Sequence, residues 1–174
     1  MIPRLYGICR ALALLTVLVS PALAGDLPDS RLTPGDTLPG VTAAEVCEPG
    51  WARQHRKVPT EVRNEVYAAY GLPDGNYTGY CDTPHGCELD HLVPLELGGS
   101  NSARNLWPQS YDGPMSAHAK DKLENRLHQM VCTGSMTLED AQQAIATDWI
   151  AAHRRYVQGV TPTANISVLG RTLH

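Results

Sequence analysis

Apolar residues recur along this chain at two periods, and the changes of period mark out its elements. Val62, Val66 and Tyr70 sit at i, i+4 and i+8, which predicts a helix over Pro59 to Tyr70 stopped by Gly71. Cys87 to Glu96 alternates and then turns apolar around Leu92-Val93-Pro94-Leu95. That is the pattern of a strand that ends or bends at Pro94. Gly98-Gly99-Ser100-Asn101 is turn chemistry. Asn105-Leu106-Trp107-Pro108 follows as a second, short strand, again stopped by proline. Ser116 suits the N-cap of a helix from Ala117 to about Val131, and Gly134 suits its C′ position. The apolar face of that helix is Ala119, Leu123, Leu127, Met130 and Val131. Thr137 with Asp140 resembles a capping arrangement for a last helix running to about Val157. Its buried stripe is Ala141, Ala144, Ile145, Trp149 and Ala152. The expected class is α+β, a small two-stranded core embedded in helices.

The pattern changes at both ends. Ala11 to Ser20 is apolar but too short to span a bilayer. It follows Arg4 and Arg10 and precedes Pro21-Ala22-Leu23-Ala24, which reads as a secretory signal with cleavage before Gly25. Loss of those 24 residues from 174 leaves 150, enough for one domain. Residues 25–45 carry Pro28, Pro34 and Pro39 with Gly35 and Gly40, a leader that is either mobile or a strapped-down coil. The folded domain is then expected over 46–158, with a tail over 159–174. No second long apolar run follows, so no membrane insertion is expected after signal removal. The sequence leaves oligomeric state open.

Charge excludes two classes. The formal net charge of −4 becomes −6 once Arg4 and Arg10 leave with the signal, so the protein is not a polybasic binder. With 18% charged residues, three Trp and seven Tyr it is not a disordered chain. Cysteine usage points to an exported protein, periplasmic or secreted. Cys9 leaves with the signal, and Cys47, Cys81, Cys87 and Cys132 remain. Four cysteines permit two disulfides in three pairings. Cys81 with Cys87 would close a local turn, leaving Cys47 with Cys132 as a long-range staple, and this pairing is favoured. A zinc site built from all four is disfavoured, because no CxxC knuckle is present.

The chemistry concentrates in one stretch. It runs Glu88-Leu89-Asp90-His91-Leu92-Val93-Pro94-Leu95-Glu96-Leu97-Gly98-Gly99-Ser100-Asn101, then on through Asn105-Leu106-Trp107-Pro108-Gln109 to a helix with His118, Lys120, Asp121, Lys122 and Asn125. An Asp-His strand, a Gly-rich turn, a strand with Asn and a polar helix, in that order, resemble the HNH endonuclease family. The likeness is greatest to exported members with a DHLVPLELGG…NLWPQ signature. It is strong from Glu88 to about Asn125 and weaker from Cys47 to Trp149. The resemblance implies a ββα-metal core and hydrolysis of nucleic-acid phosphodiesters, with DNA ahead of RNA as substrate. It also implies one divalent metal, magnesium first, with manganese, zinc or nickel as alternatives.

The resemblance assigns roles residue by residue. His91 becomes the general base, a role that suits a neutral imidazole whose ordinary pKa is about 6.5. Asp90 becomes a metal ligand, and oxygen ligands suit a hard cation that polarises a phosphoryl oxygen. Neighbours on a flat strand point to opposite faces, so Asp90 and His91 share a site only if the strand ends or kinks there. Asn105 takes the place of the middle Asn, which holds the loop and orients the base. The helix ligand falls on His118, with Asn125, Asp121 and Glu124 as rivals on spacing.

Other residues keep two readings. Glu88 is a second ligand or, more simply, a solvated carboxylate. Trp107 stacks on a base or packs in the core. Lys120, Lys122 and Arg126 touch phosphates or are surface charge. Arg53, His55, Arg56 and Lys57, with Arg63 and Arg104, form a phosphate-tracking patch or a solvated run. His153-Arg154-Arg155 suits a helix C-terminus. A Ser/His/Asp hydrolase is disfavoured, since no nucleophile elbow surrounds any serine. The alternative to a nuclease is a non-enzymatic exported module that keeps the HNH shape and binds nucleic acid, metal or an envelope partner.

Overall fold

The computed structural model describes residues 27–72 and 86–160. The expected signal and cleavage site, Cys81 and most of the tail lie outside these residues. The described chain is mixed α+β, with a two-stranded antiparallel sheet and five helices. The helices are α1 (Ala43–Val46), α2 (Trp51–His55), α3 (Thr60–Ala69), α4 (Ala117–Cys132) and α5 (Leu138–Tyr156). None of them is long and apolar enough to cross a membrane.

The strands are β1 (Cys87–His91) and β2 (Leu106–Ser110), in a register that pairs Cys87 with Ser110 and His91 with Leu106. β1 stops three residues before Pro94, earlier than the apolar run suggests. The Leu92 N–H still donates to the Asn105 carbonyl at 2.7 Å, and the Val93 backbone is then captured by the Asn105 side chain. Pro108 does not stop β2; it sits inside the strand opposite Leu89. In a two-stranded sheet each strand keeps an unpaired edge, and an edge tolerates a residue without an N–H.

The connection between the strands is built from two 3₁₀ turns, Leu95–Leu97 and Ala103–Asn105. Two glycines between them are dictated by space. Gly98 has φ +75°, and a Cβ there would meet Val41 Cγ1 at 2.6 Å. A Cβ on Gly99 would lie 1.8 Å from the Val93 carbonyl oxygen, so no other residue fits that turn unchanged.

The leader is the strapped-down coil of the two alternatives. The Gly35 N–H donates to the Arg104 carbonyl at 3.0 Å, and the Leu38 N–H to that of Gly98 at 2.9 Å. Buried Thr33 donates its hydroxyl to the Leu106 carbonyl at 2.8 Å and shares a second hydrogen bond with the Tyr70 hydroxyl.

The predicted apolar faces form the core. Leu123 and Leu127 of α4 pack with Ala141, Ile145 and Trp149 of α5, and with Leu106 and Trp107 of β2. Trp107 is wholly buried, which settles it as a core residue. Full burial of each large apolar side chain is worth roughly 1.5–3 kcal/mol, and this cluster clamps α4 over the sheet. Thr137 caps α5 by accepting from the Asp140 N–H at 3.0 Å. Ser116 holds the N-cap position of α4 without a side-chain cap bond. α5 breaks at Asp148, whose carboxylate accepts from the Ala151 N–H and restarts the helix.

A disulfide joins Cys47, just after α1, to Cys132 at the end of α4, across 85 residues of chain. Cys87 is also disulfide-bonded. The Cys132→Ser variant should lose about 2–5 kcal/mol of stability, read as a lowered urea midpoint, because the open chain regains the loop entropy that the bridge removes.

Candidate active-site cleft

The cleft is organised around the Asn105 side chain, which is completely buried. Its amide oxygen accepts from the Val93 N–H at 2.9 Å and the Asp36 N–H at 3.2 Å. Its amide nitrogen donates to the Val93 carbonyl at 2.9 Å and the Ser100 carbonyl at 3.0 Å. An asparagine offers two donors and an acceptor oxygen with two lone pairs, and all are used here. Asn105 thus ties the end of β1, the glycine turn and the leader into one unit. It does not touch the His91 ring.

That contact belongs to Asn101, which the sequence reading treats only as a turn former. Asn101 Nδ2 donates to the His55 and Lys57 carbonyls at 2.8 and 3.2 Å. Those two acceptors fix which way the amide faces, so Oδ1 meets His91 Nε2, at 2.7 Å. The Nε2 therefore carries the proton, and Nδ1 keeps the basic lone pair of the neutral ring. Burial lowers the His91 pKa below its ordinary value, although Asn101 and Asp90 pull the other way. No sequence spacing marks Asn101, because its partners lie about 45 residues away in α2 and the segment after it.

Asp90 and His91 line one cavity of about 260 Å³, together with Arg56, Arg63, Glu88, Glu96, Asp121 and Glu124. The strand ends at His91, and this lets adjacent residues serve one cleft. Glu88 accepts a hydrogen bond from the Tyr111 hydroxyl at 2.9 Å and is half-buried on the cavity wall, a partly solvated carboxylate with a protein partner. Burial and the neighbouring Asp90 raise its pKa, while burial and Glu88 push the Tyr111 phenol up to about 12.

Lys120 departs from both of its sequence readings, phosphate contact and surface charge. Its side chain is 1% exposed. Its ammonium sits 2.7 Å from Asp90 Oδ2, donates to the His91 carbonyl at 2.6 Å, and pairs with Glu124 one turn along α4. Burial alone would lower the Lys120 pKa, but Asp90 and Glu124 overcome it and the net shift is upward, so Lys120 stays charged. One ammonium cannot neutralise two carboxylates. Burial, and the negative charge of Asp90, push Glu124 up to about 7 against the pull of Lys120.

The expected ligands Asp90, His118 and Asn125 do not come together. The His118 side chain is 70% exposed, lies beside Asp121 and the Tyr111 ring, and does not line the cavity. Asn125 donates to the Asp121 carbonyl and borders a separate depression with Lys122, Arg126 and Gln129. Of the rivals on α4, Asp121 and Glu124 reach the cleft. The divalent metal that the HNH resemblance implies therefore does not fit the residues as arranged, since Asp90 is already held by an ammonium. Of the basic run, Arg56 and the later Arg63 line the cavity, whereas Arg53, Lys57 and Arg104 are exposed elsewhere.

A different group could hold a metal ion. The Cys47 and Cys132 sulfurs and the His128 imidazole lie within 4.8 Å of one another. As a disulfide the sulfurs are not thiolate ligands, so only the reduced protein offers this set. Sequence reasoning missed His128, although its i, i+4 spacing from Cys132 was available.

Asn105→Ala should cost about 3 kcal/mol or more in urea unfolding, because it leaves several buried backbone groups of the loop without partners. A carboxyl raised in the folded state contributes stability that is complete below its ordinary value of 4.5 and is lost as pH rises through about 7. Glu124→Gln should accordingly gain on the wild type between pH 5 and pH 8, checked by unfolding midpoints at both. Comparison with protein-family models, curated proteins and solved structures yields no match, so the functional reading rests on the cleft itself.

Proposed function

We propose that this cleft hydrolyses phosphodiester bonds of nucleic acid in the manner of the HNH endonucleases, with His91 as the general base. The observation that supports it best is the state of His91. It is a half-buried imidazole with its tautomer set by Asn101, its pKa below the ordinary value, and its place in a cavity that holds two arginines. Such a base is neutral at physiological pH, and this is the form that accepts a proton.

In this reading Arg56 and Arg63 draw the phosphate to the rim and offset charge on its oxygens. Water gives a proton to His91 Nδ1 as its oxygen bonds to phosphorus, and the bridging P–O bond on the far side breaks, its oxygen leaving as an alcohol after taking a proton from solvent water. The two antiparallel strands followed in the chain by α4 support this reading. Disulfides at Cys47, Cys87 and Cys132 favour an oxidising compartment, as does the apolar segment over Ala11–Ser20. We read the protein as exported on those grounds.

A second reading has its own observation. Five carboxylates line the cavity against two arginines, a balance that opposes an anionic substrate. In that case the protein is an exported module that binds without cleaving.

Plasmid DNA incubated with the mature protein, with and without magnesium or manganese, separates the two. On the nuclease reading the plasmid is nicked or linearised, and His91→Ala lowers the rate by about 10²–10⁴-fold. Cleavage that survives His91→Ala, or no cleavage under any of these conditions, sinks it. The acid limb of the rate profile should lie below pH 6.5, since the base works only when unprotonated and burial depresses its pKa. Asn101→Ala should move that limb lower still, because the lost hydrogen bond favoured the protonated ring.

A further inference from the structure

The most unusual group in this molecule is the buried ammonium of Lys120. A lysine has three N–H donors and no acceptor. Here the ammonium donates to the His91 carbonyl at 2.6 Å and to Glu124 Oε1, and forms an ion pair with Asp90 Oδ2 at 2.7 Å. The oxygens come from the end of β1 and from the second turn of α4, and they converge on one point. Two are carboxylates and one is a carbonyl, the donor types that bind hard cations.

We propose that the Lys120 ammonium is the resident cation of the cleft, occupying the point between Asp90, Glu124 and the His91 carbonyl that would otherwise take a divalent metal. Lysine and metal are then mutually exclusive there, and removal of the ammonium opens a divalent-cation site. The inference goes beyond the proposed hydrolysis and stands whether or not the cleft cleaves nucleic acid.

Three observations support it. First, α4 brings Lys120 and Glu124 to the cleft on adjacent turns, while His118 and Asn125 fall outside it, so the helix supplies a cation where a ligand was expected. Second, the ammonium is shut away from solvent by Asp90 and Glu124, so it is an internal counter-ion and not a phosphate-seeking surface charge. Third, the ammonium lies 2.6 Å from the His91 carbonyl and 2.7 Å from Asp90 Oδ2, which gives the cage its size. Calcium–oxygen contacts are roughly 2.3–2.6 Å and magnesium–oxygen contacts roughly 2.0–2.1 Å. A cage emptied of its ammonium therefore matches calcium better than magnesium.

The test is thermal unfolding of the mature, disulfide-intact protein in EDTA, in calcium chloride and in magnesium chloride. The wild type should show the same Tm in all three. Lys120→Ala leaves two carboxylates facing each other with room between them. It should melt lower than the wild type in EDTA and regain roughly 5 °C or more with calcium at a hundredfold excess over Kd, and less with magnesium. Adding Asp90→Asn to Lys120→Ala should abolish the calcium response. A wild-type Tm that rises with either ion and loses that rise in Asp90→Asn overturns the proposal. So does a folded Lys120→Ala that ignores calcium. If Lys120→Ala does not fold, manganese added to the ¹⁵N-labelled wild type decides: unbroadened amides over residues 88–92 support the resident ammonium, and selective broadening there overturns it. Nuclease activity enters none of these readouts, so failure of the hydrolysis reading leaves this test intact.

Discussion

The loop path that ends β1 at the cleft depends on one buried amide. Asn105 uses its full hydrogen-bonding capacity to hold the backbone of Val93, Ser100 and Asp36 around itself. A buried amide costs free energy unless every capacity is met, and meeting it here demands one loop path. Gly99 must lie against the Val93 carbonyl, where no Cβ fits. The leader must cross at Asp36, where Ser100 and Ser102 donate to its carboxylate. β1 must release its chain at His91. The strap, the glycine turn and the strand end are three consequences of the same demand.

The second layer is electrostatic. Burying charge is expensive, so the cleft's carboxylates need partners. Asp90 and Glu124 share Lys120, and Glu88 takes the Tyr111 hydroxyl. This network crosses from the sheet to α4 and links the helix to the strand that carries His91. The lysine also donates to the His91 carbonyl, so charge neutralisation and placement of the base are the same contact. The His91 ring is held from the opposite direction, through Asn101, by backbone carbonyls of α2 and the residue run after it. The base is thus fixed at its main chain by α4 and at its ring by the segment near α2.

Much of the fold was legible from pattern because local physics decides it. Val62, Val66 and Tyr70 at helical spacing yield Thr60–Ala69, and the Leu123–Leu127 and Ile145–Trp149 stripes are the core. The misreadings came where a tertiary contact overrides a local rule. Pro94 and Pro108 looked like strand ends, yet Asn105 ends β1 earlier and the open edge lets Pro108 stay inside β2. Lys120 reads as a phosphate contact or surface charge because residue type predicts exposure, and only Asp90 from the sheet, with Glu124 one turn along α4, makes its burial tolerable. His118 looked like a ligand by name and order, yet its position on α4 leaves it in solvent.

The sequence by itself determined the two-stranded α+β plan and the stretch in which the chemistry lies, and it favoured the long-range Cys47–Cys132 staple that the structure then decided among three pairings. Periodicity, glycine placement and cysteine count are local or combinatorial properties, and a sequence carries them openly. Only the tertiary structure decided which polar residues face each other in the cleft. Asn101 finds His91 through carbonyls about 45 residues away, and Lys120 finds Asp90 across the gap between helix and sheet. Those partnerships depend on where distant backbones come to rest, and no spacing along the chain encodes that.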